Sequence, residues 1–290
     1  MKLQTITLAL CLGLSVLPVH AKDSASELIY VGTHGAGRAE QEQGTSALHG
    51  IYAARIDTKT GHLTPLGQQV ELQRATWLVT HPSLPIIYTV ADSGGGMQTE
   101  SNIYSFAVDQ ASGKLQQINK IGAGGLDATH MVLDAPSKTL LIANHGSGDV
   151  TALSLRPDGS LDKVASGQKD FGTGPHRRQS MPQPHGIAVD PTHRYVLSAD
   201  FGADRIFVYH FDAATRTLTP ASTPFEATPA GSGPRHLVFH PNGKFLYLNT
   251  ELTAELLVYS WDAKTGGLQF VEAVSPYPAD YAGKEEKKTH

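Results

Sequence analysis

Histidine and arginine stand at the leading ends of strand-like runs in this chain: His130 opens HMVL, His185 opens HGIAV, and Arg235 and His236 together open RHLVF. An imidazole titrates near neutrality, so it can take a proton from water and return it to a leaving group. A guanidinium stays charged and offers a planar fork to a carboxylate, a phosphate or a developing oxyanion. Glu251 lies on the run after Arg235 and can hold either His185 or Arg235 in position or act as the base itself. Base, cation and carboxylate are the parts needed to drive water onto a carbonyl carbon. They work together only if separate runs carry them to one point.

The runs recur with a period of roughly 50 residues, the signature of a propeller or solenoid. The copies read WLVTHPSLPIIYTV from Trp77, HMVLDAPSKTLLIANHG from His130, HGIAVDPTHRYVLSADFG from His185 and HLVFHPNGKFLYLNTEL from His236. Each is followed by a third run closing on Asp or Arg, such as NIYSFAVD or RIFVYHFD, and a fourth that opens near a Gly-x-Leu. Four short strands parted by turn residues predict one antiparallel blade, and blades arranged radially predict an all-β β-propeller. An incomplete unit precedes these copies: YVGTHG, GIYAARID from Gly50 and GHLTPLGQQV from Gly61 match second, third and fourth strands without an innermost one.

Innermost strands of a propeller line its channel, so His130, His185, Arg235 and His236 are expected at one mouth. The copies align His185 with His130 and His236. Strand alternation predicts that only one of Arg235 and His236 faces the channel. Asn144, Asp200 and Glu251 are assigned to one slot of successive second strands, a polar ring that also suits a hard cation such as calcium. Other readings compete at each position. His130 can be a packing group, Arg235 and Glu251 a buried ion pair between blades, and His81 and His240, which precede proline, are turn residues. Two connections are long, the polar stretch between Gly35 and Gly50 and the Gly/Pro-rich loop from Gly167 to Pro184, which carries the basic PHRRQ and leads into His185.

The first 21 residues read as a secretory signal peptide: Lys2, an apolar stretch from Ile6 to Leu17, then Val19-His20-Ala21. A periplasmic or secreted location follows as an expectation. The only cysteine, Cys11, lies inside that segment, which leaves the mature chain without disulfides, a thiol nucleophile or a cysteine zinc site. A net charge of −4 and the lack of a recurring basic cluster argue against nucleic acid as partner, and no later run is apolar enough to span a membrane. Gly94-Gly95-Gly96 lacks the Lys-Ser/Thr that a phosphate-cradling loop needs.

The run QPHGIAVDPTHRYVLSADFGADRIFVYHFD, followed by GSGPRHLVFHPNGKFLYLNTELTAELLVYSWD, resembles the lactonase family of seven-bladed propellers. That family includes propeller-type bacterial 6-phosphogluconolactonases and the fungal 3-carboxy-cis,cis-muconate lactonizing enzyme. The resemblance extends from about Leu28 to the end, and its most specific string is Gly-Pro-Arg-His-x-x-Phe-His-Pro with a Glu on the next strand. It implies a catalytic set of His185, Arg235 and Glu251. With them we place His130, His236 and Arg177 as substrate-binding candidates. A further arginine that the family draws from a later blade has no counterpart here. About five blades of an expected seven are present, so residues 22–290 are expected to form an incomplete propeller domain. The reaction implied is hydrolysis of a sugar-derived lactone without a cofactor, with a divalent cation such as calcium as the alternative. The partner is then a small lactone or carboxylate. A muconate-type cycloisomerase and an exported, non-catalytic binding propeller stay open beside it.

Overall fold

A computed structural model describes residues 26–33, 49–92 and 100–278. The first 21 residues (the expected signal peptide), the polar stretch after Gly35 and the glycine triplet lie outside the described residues. Among the described residues, nineteen β-strands and no helix form five antiparallel sheets. The first sheet has three strands, β1 (Ser26–Thr33), β2 (Gly50–Asp57) and β3 (Leu63–Val70). The second runs β4 (Trp77–Thr80), β5 (Ile86–Asp92), β6 (Glu100–Val108), β7 (Leu115–Leu126), and the third β8 (Ala128–Asp134), β9 (Thr139–Asn144), β10 (Asp149–Leu155), β11 (Leu161–Lys169). The fourth is β12 (Pro184–Val189), β13 (Tyr195–Asp200), β14 (Arg205–Asp212), β15 (Thr217–Ala227). The fifth is β16 (Pro234–Phe239), β17 (Phe245–Thr250), β18 (Leu256–Asp262), β19 (Gly267–Val274). The predicted blades are thus observed, and among the described residues the first unit has three strands. The innermost strands β4, β8, β12 and β16 neighbour one another in that order.

The core lies between blades, which is why the middle strands are apolar on both faces. In β9, Leu140 and Ile142 pack with Tyr88, Val90 and Met131 toward the second blade, whereas Leu141 and Ala143 pack with Ile187, Val196 and Phe207 toward the fourth. Period-two alternation therefore delivers two apolar faces instead of one apolar and one wet face. Tyrosines on second strands lock the outer rim: Tyr30 donates to the Gly113 carbonyl and Tyr88 to that of Gly159, each across a blade boundary.

Turn chemistry follows the residue types. His81 Nδ1 accepts the amides of Ser83 and Leu84, and His240 Nδ1 accepts that of Asn242, so both histidines cap the inner hairpin as expected. Asp190 does the same for Thr192, Arg194 and Tyr195. The aspartates that close third strands, Asp57, Asp109, Asp212 and Asp262, accept amides two or three residues on, and those bonds hold their carboxyls below the ordinary range.

Candidate active site

Three inner strands begin with the same irregularity. Ala128, Pro184 and Pro234 pair with Asn144, Asp200 and Thr250, and the next pairs are His130–Ala143, Gly186–Ala199 and His236–Asn249. Thr129, His185 and Arg235 are the extra residues of successive bulges. This corrects two expectations. His185 shares its slot with Arg235, one residue before the slot of His130 and His236, which Gly186 fills in the fourth blade. A Cβ on Gly186 would stand 2.5 Å from the Arg235 carbonyl oxygen and 3.0 Å from the His236 Cα, so the close approach of β12 to β16 requires glycine. Alternation also fails here, because a bulge re-aims its residue, and both Arg235 and His236 reach the same cluster.

The rings form a continuous row. Trp77 lies 4.1 Å from His130 and 5.5 Å from His236, centroid to centroid. His236 is 5.0 Å from both His130 and His185, and His185 is 5.5 Å from His145. Trp77 is fixed by its indole N–H, which donates to the Met131 carbonyl at 2.9 Å. His130 Nδ1 accepts the Ile187 amide at 3.2 Å, which places the ring proton on Nε2.

Burial decides the charge of these imidazoles. It pushes the His130 pKa down to about 3, helped by His236, and that of His185 down to about 2, helped by Arg235 and the neighbouring histidines. His236 falls to about 4, from burial and then the Arg235 charge. His145 is lowered by burial as well. The row is neutral near pH 7, and Nδ1 of both His145 and His185 is buried without a hydrogen-bond partner.

The charged groups gather beside His185. Glu251 Oε2 accepts from Arg235 Nε at 3.1 Å, and its Oε1 lies 2.7 Å from a terminal nitrogen of Arg178. Both carboxylate oxygens are thereby engaged by cations. Of the two readings open for Glu251, holding Arg235 fits this geometry and serving as base does not. Arg235 uses Nε on Glu251, and its terminal nitrogens make no hydrogen bond among the described residues. Arg178 lies over the Phe201 ring, 4.7 Å from its centre. Two guanidiniums and one carboxylate leave a net charge of about +1 at the mouth.

Two sequence assignments change here. Arg177 is exposed and has no hydrogen bond or ion pair to the described residues, whereas its neighbour Arg178 contacts Glu251. The slot of Asn144 and Asp200 is taken in the fifth blade by Thr250, not Glu251, since the strand register puts His145, Phe201 and Glu251 one residue later. Asn144 donates to Asp149, and Asp200 Oδ1 accepts the amides of Gln183 and Ala203, so both side chains serve their own blade and its loop. Among the described residues, no group of three acidic, His or Cys side chains is placed to hold a metal ion. The polar ring that suited calcium is therefore not formed by these residues. His145 and Arg178 escaped the sequence reading. His145 was legible from the register of ANH against ADF and NTE, while Arg178 sits in a loop with no periodic signal.

A cavity of about 650 Å³ lies elsewhere, between the first two blades. Its cation, Arg55, is bonded to the carbonyls of Gln110 and Ala111, so it lacks the paired chemistry seen around Glu251.

The family described as seven-bladed β-propeller lactonase matches residues 28–288. The chain belongs to that family. It is 28% identical over 257 residues to a 6-phosphogluconolactonase of Bacillus subtilis, covering 89% of this chain and 69% of that protein. It is 27% identical over 231 residues to one of Formosa agariphila, covering 79% of this chain and 64% of that one. Among solved structures, the periplasmic gluconolactonase of Pseudomonas aeruginosa is 31% identical with a TM-score of 0.73, over 80% of this chain and 66% of that one. A Lactobacillus plantarum protein is 25% identical with a TM-score of 0.76, over 88% and 69%. The chain of this lactonase-family propeller thus spans about two thirds of the length of these relatives.

Proposed function

We propose that this chain is a lactone hydrolase acting on a sugar-derived lactone, with the reaction centre between His185, His236 and Arg235. The observation that carries the reading is a guanidinium pinned through Nε by Glu251, with no hydrogen bond from its terminal nitrogens among the described residues, beside imidazoles that burial keeps neutral. A neutral imidazole accepts a proton from water as the water oxygen bonds to the ring carbonyl carbon. Arg235 faces the charge that develops on the carbonyl oxygen. As the intermediate collapses, the C–O bond to the ring oxygen breaks, and the imidazolium returns the proton to that oxygen. The product is an open hydroxy acid, which ionises in water.

Burial alone makes His185 a weak base, and an anionic substrate corrects this, because a negative charge nearby raises an imidazole pKa. Glu251 holds Arg235 in place and takes no proton. His130 and Trp77 form the apolar floor against which a sugar ring can lie. The relatives named as 6-phosphogluconolactonases and as a periplasmic gluconolactonase support the substrate class, and the N-terminal leader pattern supports an exported protein. Purified protein should accelerate opening of 6-phosphogluconolactone or glucono-lactone above the buffer rate, with loss in Arg235→Ala and His185→Ala. No acceleration by the unaltered chain with either lactone overturns the proposal.

A further inference from the structure

Arg178 reaches Glu251 from outside the repeat, and the way it is held is unlike an ordinary surface arginine. Residues 170–183 connect β11 to β12 and cross the top of the fourth blade. The anchor of this strap is Gln179, which is fully buried. Its side-chain amide donates to the Phe201 carbonyl at 2.8 Å and to Asp204 Oδ1 at 2.7 Å, while its Oε1 accepts the His176 amide at 3.0 Å. Gly202 lets the strap settle, since a Cβ there would lie 1.8 Å from the Met181 carbonyl oxygen. Buried Asp204 also accepts the amides of Gly231 and Gly233, in the loop that feeds Arg235. One carboxylate thus ties the segment carrying Arg178 to the segment carrying Arg235.

The two guanidiniums are held differently. Arg235 is 23% exposed and close to His185, whereas Arg178 is 44% exposed and lies on the outer side of Glu251. Phe201 supports one face of Arg178 and Glu251 takes one of its terminal nitrogens, which leaves the remaining N–H groups toward solvent at the rim. A cation so placed meets a charged substituent carried outside the reacting ring.

We infer that Arg178 is a specificity-determining residue, the rim cation that selects lactones and hydroxy acids bearing a phosphate over their uncharged-tail counterparts. The inference rests on the reading of this mouth as the lactone site, and it concerns binding, so it can be tested without turnover. Arg178→Ala removes the cation and its stacking. Arg178→Lys keeps the charge and loses the planar fork. A charge-assisted contact of this kind corresponds to roughly 10- to 100-fold in affinity.

The experiment is calorimetric titration of the whole chain with 6-phosphogluconate and with gluconate. The unaltered protein should bind the phosphorylated ligand at least roughly 10-fold more tightly, Arg178→Ala should erase that preference by weakening 6-phosphogluconate at least roughly 10-fold more than gluconate, and Arg178→Lys should keep part of it. Equal losses for both ligands in Arg178→Ala would mean that the residue acts only through Glu251, which overturns the inference. No preference in the unaltered protein, or an unchanged preference in Arg178→Ala, overturns it too. If the preference is present and depends on Arg178 but no lactone is opened, the hydrolase reading fails and this inference stands. Circular dichroism and melting temperature of each variant check folding, and a misfolded Arg178→Ala passes the decision to Arg178→Gln, in which an undiminished preference overturns the inference and a lost preference supports it.

Discussion

Replacing His130 by asparagine should change stability by an amount that depends on pH, and the size of that dependence follows from the burial of the ring. In the unfolded chain a histidine titrates at its ordinary value of 6.5, whereas folding pushes His130 to about 3. A depressed folded pKa contributes stability that is fully present above 6.5 and is lost as pH falls through that value toward about 3. At about pH 5 the unfolded chain holds nearly one more proton at this site than the folded one. Integrated from about pH 7.5, that difference favours unfolding by about 2 kcal/mol.

Asparagine does not titrate, and its amide oxygen can accept the Ile187 N–H that His130 Nδ1 accepts now. The destabilisation caused by His130→Asn should therefore be about 2 kcal/mol smaller at about pH 5 than at about pH 7.5. The whole-protein curve does not isolate this effect. Burial raises Asp170 well above the ordinary carboxyl range, so that group takes up protons on folding and acts in the opposite sense. Subtracting the variant's stability from that of the parent cancels Asp170. Urea unfolding at the two pH values, followed by tryptophan fluorescence, supplies both differences. Equal differences at the two pH values would refute the claim that folding keeps His130 neutral.

Asp204→Ala should cost about 3 kcal/mol, because two buried donors and one half-buried donor lose an acceptor, and it should weaken binding of 6-phosphogluconate; melting and titration measure the two effects. Tyr209→Phe should cost about 1–3 kcal/mol by removing the hydroxyl that donates to buried Asp170, whereas Asp170→Asn, which keeps an acceptor for that hydroxyl and removes a carboxyl whose charged form burial disfavours, should stay within about 1 kcal/mol of the parent in chemical unfolding. Gly186→Ala should cut lactone opening without touching substrate, since the added methyl pushes on the Arg235–His236 backbone; unchanged kcat/KM would show that β12 and β16 yield at no cost. On the proposed mechanism, kcat/KM should show no inflection near 6.5 and fall only as His236, at about 4, takes up a proton. An inflection near the ordinary histidine value would move the base to an exposed imidazole.

The repeat was legible because it is written in local chemistry. An apolar run of strand length, a histidine or aspartate able to cap its own turn, and a glycine in the outer hairpin recur where each blade needs them. His81, His240 and the third-strand aspartates could be given their turn roles for the same reason, since an Asx-type or imidazole cap spans only two or three residues. The three strands described for the first unit correspond to the three runs legible there.

What local chemistry does not contain is the extra residue. One bulge at the head of each of β8, β12 and β16 moved His185 out of the slot of His130 and His236, brought Arg235 and His236 to one cluster, and left Gly186 where no side chain fits. Bulges form where a strand must bend to meet its neighbours around the axis, a property of the assembled sheets. The same holds for Arg178, which no periodicity places beside Glu251 and which arrives there through a buried glutamine and an aspartate shared between two loops. The sequence by itself determined the blades, their order, their turns and the residue types at the channel mouth, because each depends on contacts a few residues apart. Tertiary structure alone decided which of those side chains meet, which imidazoles stay neutral and which arginine completes the clamp, because each depends on burial and on contacts between blades.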